Sequence, residues 1–279
     1  MNNEFLEKCL KEGTLAYVNI SEELIKEFKE EKLVTLGLFN GLLEKSSTFF
    51  HLYNNNHLVS LDCITRPIIE NYLYLKYILN RDSQEEKNYL ASRSYLFKSK
   101  MREIETHLSR IAKNNKGEKL RRLFSDITIE ELEHNYSEEE ALRDKEELRE
   151  NFKDILSLRS EKDKWYDIDE QNKKSFEQLC FYMDFESEYE HFYRAFSKEI
   201  HSSDVIETFD FTEEEFNEFF FIKSGISLNL ISNFIMETVI SYYRWNNLIY
   251  EADKFKEMMQ KELVNNATEI DIRIFDGKE

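Results

Sequence analysis

Four side chains able to grip a phosphate or move a proton beside it lie in one short stretch, HFYRAFSKEIHSSD: His191, Arg194, Lys198 and His201. Their separations of three, four and three place them on one helix face, while Phe185, Tyr189, Phe192 and Phe196 take another, so the segment has a basic side and an aromatic side. Arg194 and His201 sit within about 20° of each other around a helix, two turns apart along it. Fraying near Glu199 would let His201 swing towards Arg194. A guanidinium forks onto two phosphate oxygens and an imidazole exchanges a proton near neutral pH, which together is ribonuclease-type equipment. In the competing local reading Arg194 pairs with Glu190 or Glu70, and His201 is a helix-end residue favoured by the macrodipole.

Arg66 and Glu70 are four apart in TRPIIENYLYLKYIL and can pair along one helix. Ile64, Ile68, Ile69 and Tyr72 flank them, which predicts partial burial and a cost to losing either partner. They are expected either to face and orient the Arg194/His201 cleft or to be a helix-register pair in the core. Two E-x-x-H spacings, Glu131 to His134 and Glu188 to His191, with Glu70 and Glu237 in apolar helices, supply the ligand types of a di-iron bundle. Their order differs from the usual alternation, however, and Glu131 and His134 fall in the most charged part of the chain. No metal site is expected. No G-x-S-x-G, H-E-x-x-H, Walker loop or G-x-G-x-x-G occurs, so hydrolase, zinc-protease and nucleotide-cofactor readings lack support.

The run from Arg194 through AFSKEI to His201, with six residues between, resembles the R-x(4–6)-H signature of the HEPN superfamily. These are all-helical proteins that include metal-independent ribonucleases of toxin–antitoxin, abortive-infection and phage-defence systems. TRPIIENYLYLKYIL together with YRAFSKEIHSS is also similar to an uncharacterised bacterial family with an Arg-x-x-x-Glu helix and a later Ser-x-x-x-His element. The resemblance implies that two copies of the motif meet across a homodimer to form one cleft. Arg194 would bind and polarise the scissile phosphate, and His201 would activate the ribose 2′-hydroxyl or protonate the leaving oxygen, with no cofactor. Family members often carry a polar residue directly after the arginine, where this chain has Ala195; Ser197 or Lys198 would supply that contact.

The elements that must position these groups read as helices. Residues 20–53 carry apolar residues at helical spacing and stop at the asparagine triplet 54–56. Residues 57–80 carry a second stripe through Leu58, Leu61, Ile64, Ile68, Tyr72, Leu75 and Leu79. Pro67 lies inside it, predicting a kink or restart near Thr65 and Arg66. A third, more polar stretch covers 83–113, and residues 114–168 form a charge-dense helical excursion. Thr212 to Glu215 has capping-box spacing and opens a last long helix expected to reach about residue 265. Alternating isoleucines in 268–275 predict a short extended arm within 266–279.

One proline and six glycines in 279 residues leave too little turn punctuation for sandwiches, barrels or wound α/β sheets. The fold class is therefore all-α: a bundle of long helices with a polar helical insertion, read as a single domain. With 41% hydrophobic and 14% aromatic residues, the chain can bury a core. Its 38 basic and 56 acidic residues give a net charge of −18, which opposes non-specific coating of nucleic acid or anionic lipid. Screening over roughly 8 Å still permits a local basic pocket that takes RNA. The apolar stretch 226–250 contains Asn229, Asn233, Glu237, Arg244, Asn246 and Asn247, so it reads as a buried bundle helix and not as a membrane span. Cys9, Cys63 and Cys180 read as buried reduced thiols in a cytoplasmic protein. Two functions follow as expectations: a HEPN-like ribonuclease or RNA-binding effector, with an antitoxin or other partner protein, or a non-catalytic helical interaction module whose acidic surface meets a basic protein.

Overall fold

A computed structural model describes residues 3–26, 29–58, 61–82, 89–123, 128–169, 173–194 and 213–266. Every regular element among them is helical, so the fold is all-α. The chain divides into two compact units, Met1–Lys87 with Cys180–Glu279, and Asn88–Leu179.

In the first unit, α1 (Asn3–Lys26), α2 (Glu30–Asn54) and α3 (Leu61–Arg81) precede two C-terminal helices, α11 (Glu213–Trp245) and α12 (Ile249–Asn266). The pattern read across 20–53 therefore spans two helices, with the break before Glu30. Helix α3 runs unbroken through Pro67. Loss of one amide donor does not stop it, because Ile68, Tyr72, Leu75 and Leu79 bury their side chains on one stripe, and Ile69, Leu73 and Ile78 widen it. Helix α11 packs against α1, α2, α3 and α12 and buries Leu228, Ile231, Ile235, Val239 and Tyr242. At Gly13 α1 packs tightly on α2 and α11: a Cβ there would lie 2.9 Å from both Ile235 and Leu43.

Left-handed asparagine and aspartate end helices that glycine would ordinarily end. Asn56, Asp184 and Asn247 have φ of 59°, 53° and 61°. Each precedes an amide that bonds back five residues: His57 to Leu52, Phe185 to Cys180 and Leu248 to Tyr243, all at 2.9 Å. Short polar side chains tolerate this conformation and the backward bond satisfies a terminal carbonyl. The closure at Asn247 divides the expected single C-terminal helix into α11 and α12. Among the described residues no helix is long and apolar enough to cross a membrane. Cys9 and Cys180 are buried, but Cys63 is exposed, correcting its expected burial; it lies on the outer side of α3.

The second unit contains α4 (Leu90–Ile111), α5 (Asn115–Leu123), α6 (Ile129–Asn135), α7 (Glu138–Asn151) and α8 (Lys153–Leu158). Its core gathers Phe97, Met101, Leu148, Phe152 and Ile155. Reciprocal capping boxes, Thr128 with Glu131 and Ser137 with Glu140, start α6 and α7. The charge-dense α7 buries only Ala141 and Leu148, so most of it is the solvated face its composition predicts. Buried Arg159 donates to the carbonyls of Ser160, Asp163 and Lys164, fixing the loop after α8.

Candidate functional site

The chain returns to the first unit through α9 (Phe176–Tyr182), the Asp184 closure and α10 (Glu186–Glu188), which passes into a π-helix, Tyr189–Tyr193. Single π turns recur at functional sites because the wider turn re-aims side chains. Here it changes which aromatic faces inward. Tyr193 is 8% exposed, and its ring stacks on Tyr189 at 5.3 Å and 19°. Phe192, the residue that a regular helix would align with Phe185 and Tyr189, is only partly buried.

Tyr193 meets the pair on α3. Its hydroxyl donates to Glu70 Oε1 at 2.7 Å and accepts from Arg66 Nε at 3.1 Å, while Arg66 Nε and Glu70 Oε1 are 3.2 Å apart. The Arg66 guanidinium also lies 5.0 Å from the Tyr193 ring centre, a cation–π distance. Burial opposes the charge on Arg66, but Tyr193 and Glu70 outweigh it and hold the pKa above its ordinary value. Burial, reinforced by the Glu70 carboxylate, raises the Tyr193 pKa and keeps the phenol protonated. The predicted Arg66–Glu70 pairing is present, and its long-range contact is to the residue directly before Arg194.

Arg194 itself is exposed and donates from Nη1 to both oxygens of Glu190, at 3.1 and 2.9 Å. His191 is exposed, and its Nδ1 lies 2.8 Å from the Ser187 carbonyl. The π-helix therefore presents a cation at its end while its aromatic side is anchored. Ser197, Lys198 and His201, with Ala195 and the Thr212 cap, lie outside the described residues, as does 267–279 of the expected arm.

A second polar cluster joins α3 to α11. Tyr72 stacks on Phe234 at 3.9 Å and 11°, and its hydroxyl donates to Glu237. Lys76 donates to the Tyr72 hydroxyl at 3.1 Å and lies 3.5 Å from Glu237. Burial first, then Glu237, pushes the Tyr72 pKa upward. Below it, Lys223 and buried Asp62 pair at 2.5 Å. Among the described residues no three His, Cys, Asp or Glu side chains are grouped to hold a metal ion. Glu131, the first residue of one E-x-x-H, is engaged in its capping box.

Sequence reasoning found the Arg66–Glu70 register and the aromatic segment but missed Tyr193. The signal was the Tyr189/Tyr193 spacing of four, which a period of 3.6 ranks no higher than Tyr189/Phe192. The Tyr72–Lys76–Glu237 contact leaves no spacing signal, because its groups come from two helices far apart in the sequence.

A family model described as a family of unknown function, DUF5677, matches residues 32–220. No curated protein and no solved structure matches the chain.

Proposed function

Because the chain belongs to the DUF5677 family, which has no established function, its activity must be read from its site, and we propose a HEPN-like, metal-independent ribonuclease or RNA-binding effector. The observation that supports this most is the anchoring of Tyr193 by Arg66 and Glu70, next to an exposed Arg194. A fixed backbone holding a solvent-facing guanidinium is a preorganised phosphate contact. The bond to Glu190 does not block it, since exposed ion pairs contribute only about 0–1 kcal/mol and an incoming phosphodiester can take the guanidinium over.

In this reading Arg194 grips the scissile phosphate. His201 takes the proton from the ribose 2′-hydroxyl as that oxygen attacks phosphorus, or returns one to the departing 5′-oxygen, leaving a cyclic phosphate and a 5′-hydroxyl. No cofactor enters. The protein acts as a homodimer in the bacterial cytoplasm, within a toxin or phage-defence system and restrained by a partner protein.

The test combines RNA cleavage in the presence of a chelator with growth after induced expression. Wild-type protein is expected to cleave RNA and slow growth, and Arg194→Ala and His201→Ala are each expected to lower cleavage by about 10²-fold or more. Growth arrest that survives His201→Ala would count against catalysis and leave the non-catalytic interaction module.

A further inference from the structure

We propose that a cleft between the end of α3 and the closure of α9 binds a phosphorylated nucleoside, either as a free nucleotide or as the phosphorylated end of an RNA strand. This site is distinct from the Arg194 segment and does not depend on it being catalytic.

The cleft holds about 480 Å³ and is lined by Lys76, Tyr77, Asn80 and Arg81 of α3 with Tyr182 and Asp184, a volume within the range of small-ligand sites. Lys76 with Asn80, and Tyr77 with Arg81, are four apart, so the four form two adjacent rows along the helix. Two cations converge there in a chain of net charge −18. Lys76 is held in position, its ammonium donating to the Tyr72 hydroxyl at 3.1 Å and lying 5.4 Å from that ring's centre. Tyr182 is 39% exposed and braced edge-on by buried Tyr77 at 6.0 Å and 68°. Asp184 reaches the cleft because it is the left-handed residue that closes α9, with φ of 53°.

The combination narrows the ligand. A bare phosphate would satisfy Lys76 and Arg81 but meet the Asp184 carboxylate as a like charge. An apolar ligand would cover Lys76, Arg81 and Asp184 without offering them a polar atom. A nucleoside phosphate answers each wall: its phosphate meets the two cations, its ribose hydroxyls donate to Asp184, and its base stacks on Tyr182 while Asn80 bonds a base or sugar edge.

The experiment is calorimetric titration of the full-length protein with the four nucleoside 5′-monophosphates, the parent nucleosides and inorganic phosphate. A short RNA with and without its terminal phosphate forms the last arm. At least one monophosphate is expected to bind at least about tenfold more tightly than its nucleoside or phosphate alone. Arg81→Gln and Tyr182→Leu are each expected to weaken that binding about tenfold or more with unchanged helical circular dichroism, and Arg194→Ala to leave it intact. RNA binding that requires the terminal phosphate and Arg81 assigns the strand end as the source. Nucleotide binding without that RNA dependence assigns the free nucleotide. Monophosphates that bind no better than nucleosides, or binding indifferent to both cleft substitutions, overturn the proposal. Failure here together with intact Arg194-dependent cleavage would leave the ribonuclease reading standing.

Discussion

The Tyr193 hydroxyl donates to Glu70 Oε1 at 2.7 Å, joining residues 123 positions apart. That bond ties the π-helix, and with it the backbone of Arg194, to the middle of α3. Because Glu70 also receives Arg66, the three groups form a closed triangle in which each satisfies the others.

Removing the phenol oxygen tests what the triangle contributes. Tyr193→Phe leaves the Arg66–Glu70 pair in place and should lower stability by about 1 kcal/mol, the net worth of a half-buried hydrogen bond. A double-mutant cycle with Glu70→Met, which removes the acceptor at similar length, followed by urea unfolding, should show coupling of about 0.5 kcal/mol or more. Additive effects would mean that the contact carries no energy of its own.

An asymmetry is expected at the buried contact between α2 and α11. The Thr35 hydroxyl donates to the Lys32 carbonyl at 2.8 Å and lies 2.8 Å from the Tyr242 hydroxyl, so Tyr242 is the donor between them. Tyr242→Phe removes that donor and leaves Thr35 bonded to Lys32, at about 1 kcal/mol. Thr35→Val instead strands a hydroxyl on a fully buried tyrosine and should cost about 2–3 kcal/mol. Thermal melts in which Tyr242→Phe proves the more damaging would reverse the assignment of donor and acceptor.

Two helical glycines should respond in opposite directions. Alanine in place of glycine within a helix gains about 0.5–1 kcal/mol. At Gly37 a Cβ meets nothing within 4 Å, so Gly37→Ala should stabilise by that amount. At Gly13 the Cβ would press on Ile235 and Leu43 at 2.9 Å, and overpacking of about 1–3 kcal/mol exceeds the gain. Gly13→Ala should therefore lower the unfolding midpoint, and a rise equal to that of Gly37→Ala would show that the core yields freely.

How far the sequence carried depended on which physical signal each feature leaves. The α3 stripe is legible because burial repeats at the helical period, and the Asn54–Asn56 stop because asparagine accepts left-handed backbone. The same chemistry at Asn246–Asn247 shows in the sequence only as polarity inside an apolar run, so the pattern joins α11 and α12 into one helix. Pro67 signals a kink or a restart near Thr65 and Arg66, and burial of Ile68 and Tyr72 carries the helix through without a restart. The candidate site was half legible: Arg66–Glu70 follows from spacing, whereas Tyr193 needs a π turn, a one-residue change of register that no apolar period announces. The compact unit of 88–179 was hidden because the five core residues Phe97, Met101, Leu148, Phe152 and Ile155 come from segments fifty positions apart, diluted by charge.

That unit should be the acid-sensitive one. Arg93 binds Asp154 with Nε at 2.9 Å and Nη2 at 3.0 Å, and this hydrogen-bonded pairing holds the Asp154 carboxyl below its ordinary 3.8. Arg149 grips Glu161 with Nε at 2.5 Å and Nη2 at 3.2 Å, holding Glu161 below its ordinary 4.5. A carboxylate depressed in the folded state adds stability that is complete above its unfolded value and lost as pH falls through the folded one. The loss should therefore begin near about pH 4.5 and deepen below it. Trp165 lies in this unit and Trp245 in the other, so Trp245→Phe leaves a single fluorescent reporter. In that background, replacing Arg93 and Arg149 by methionine should lower stability at neutral pH and flatten its fall between about pH 5 and about pH 3. An equally steep fall with both arginines gone would show that the acid response comes from other carboxylates.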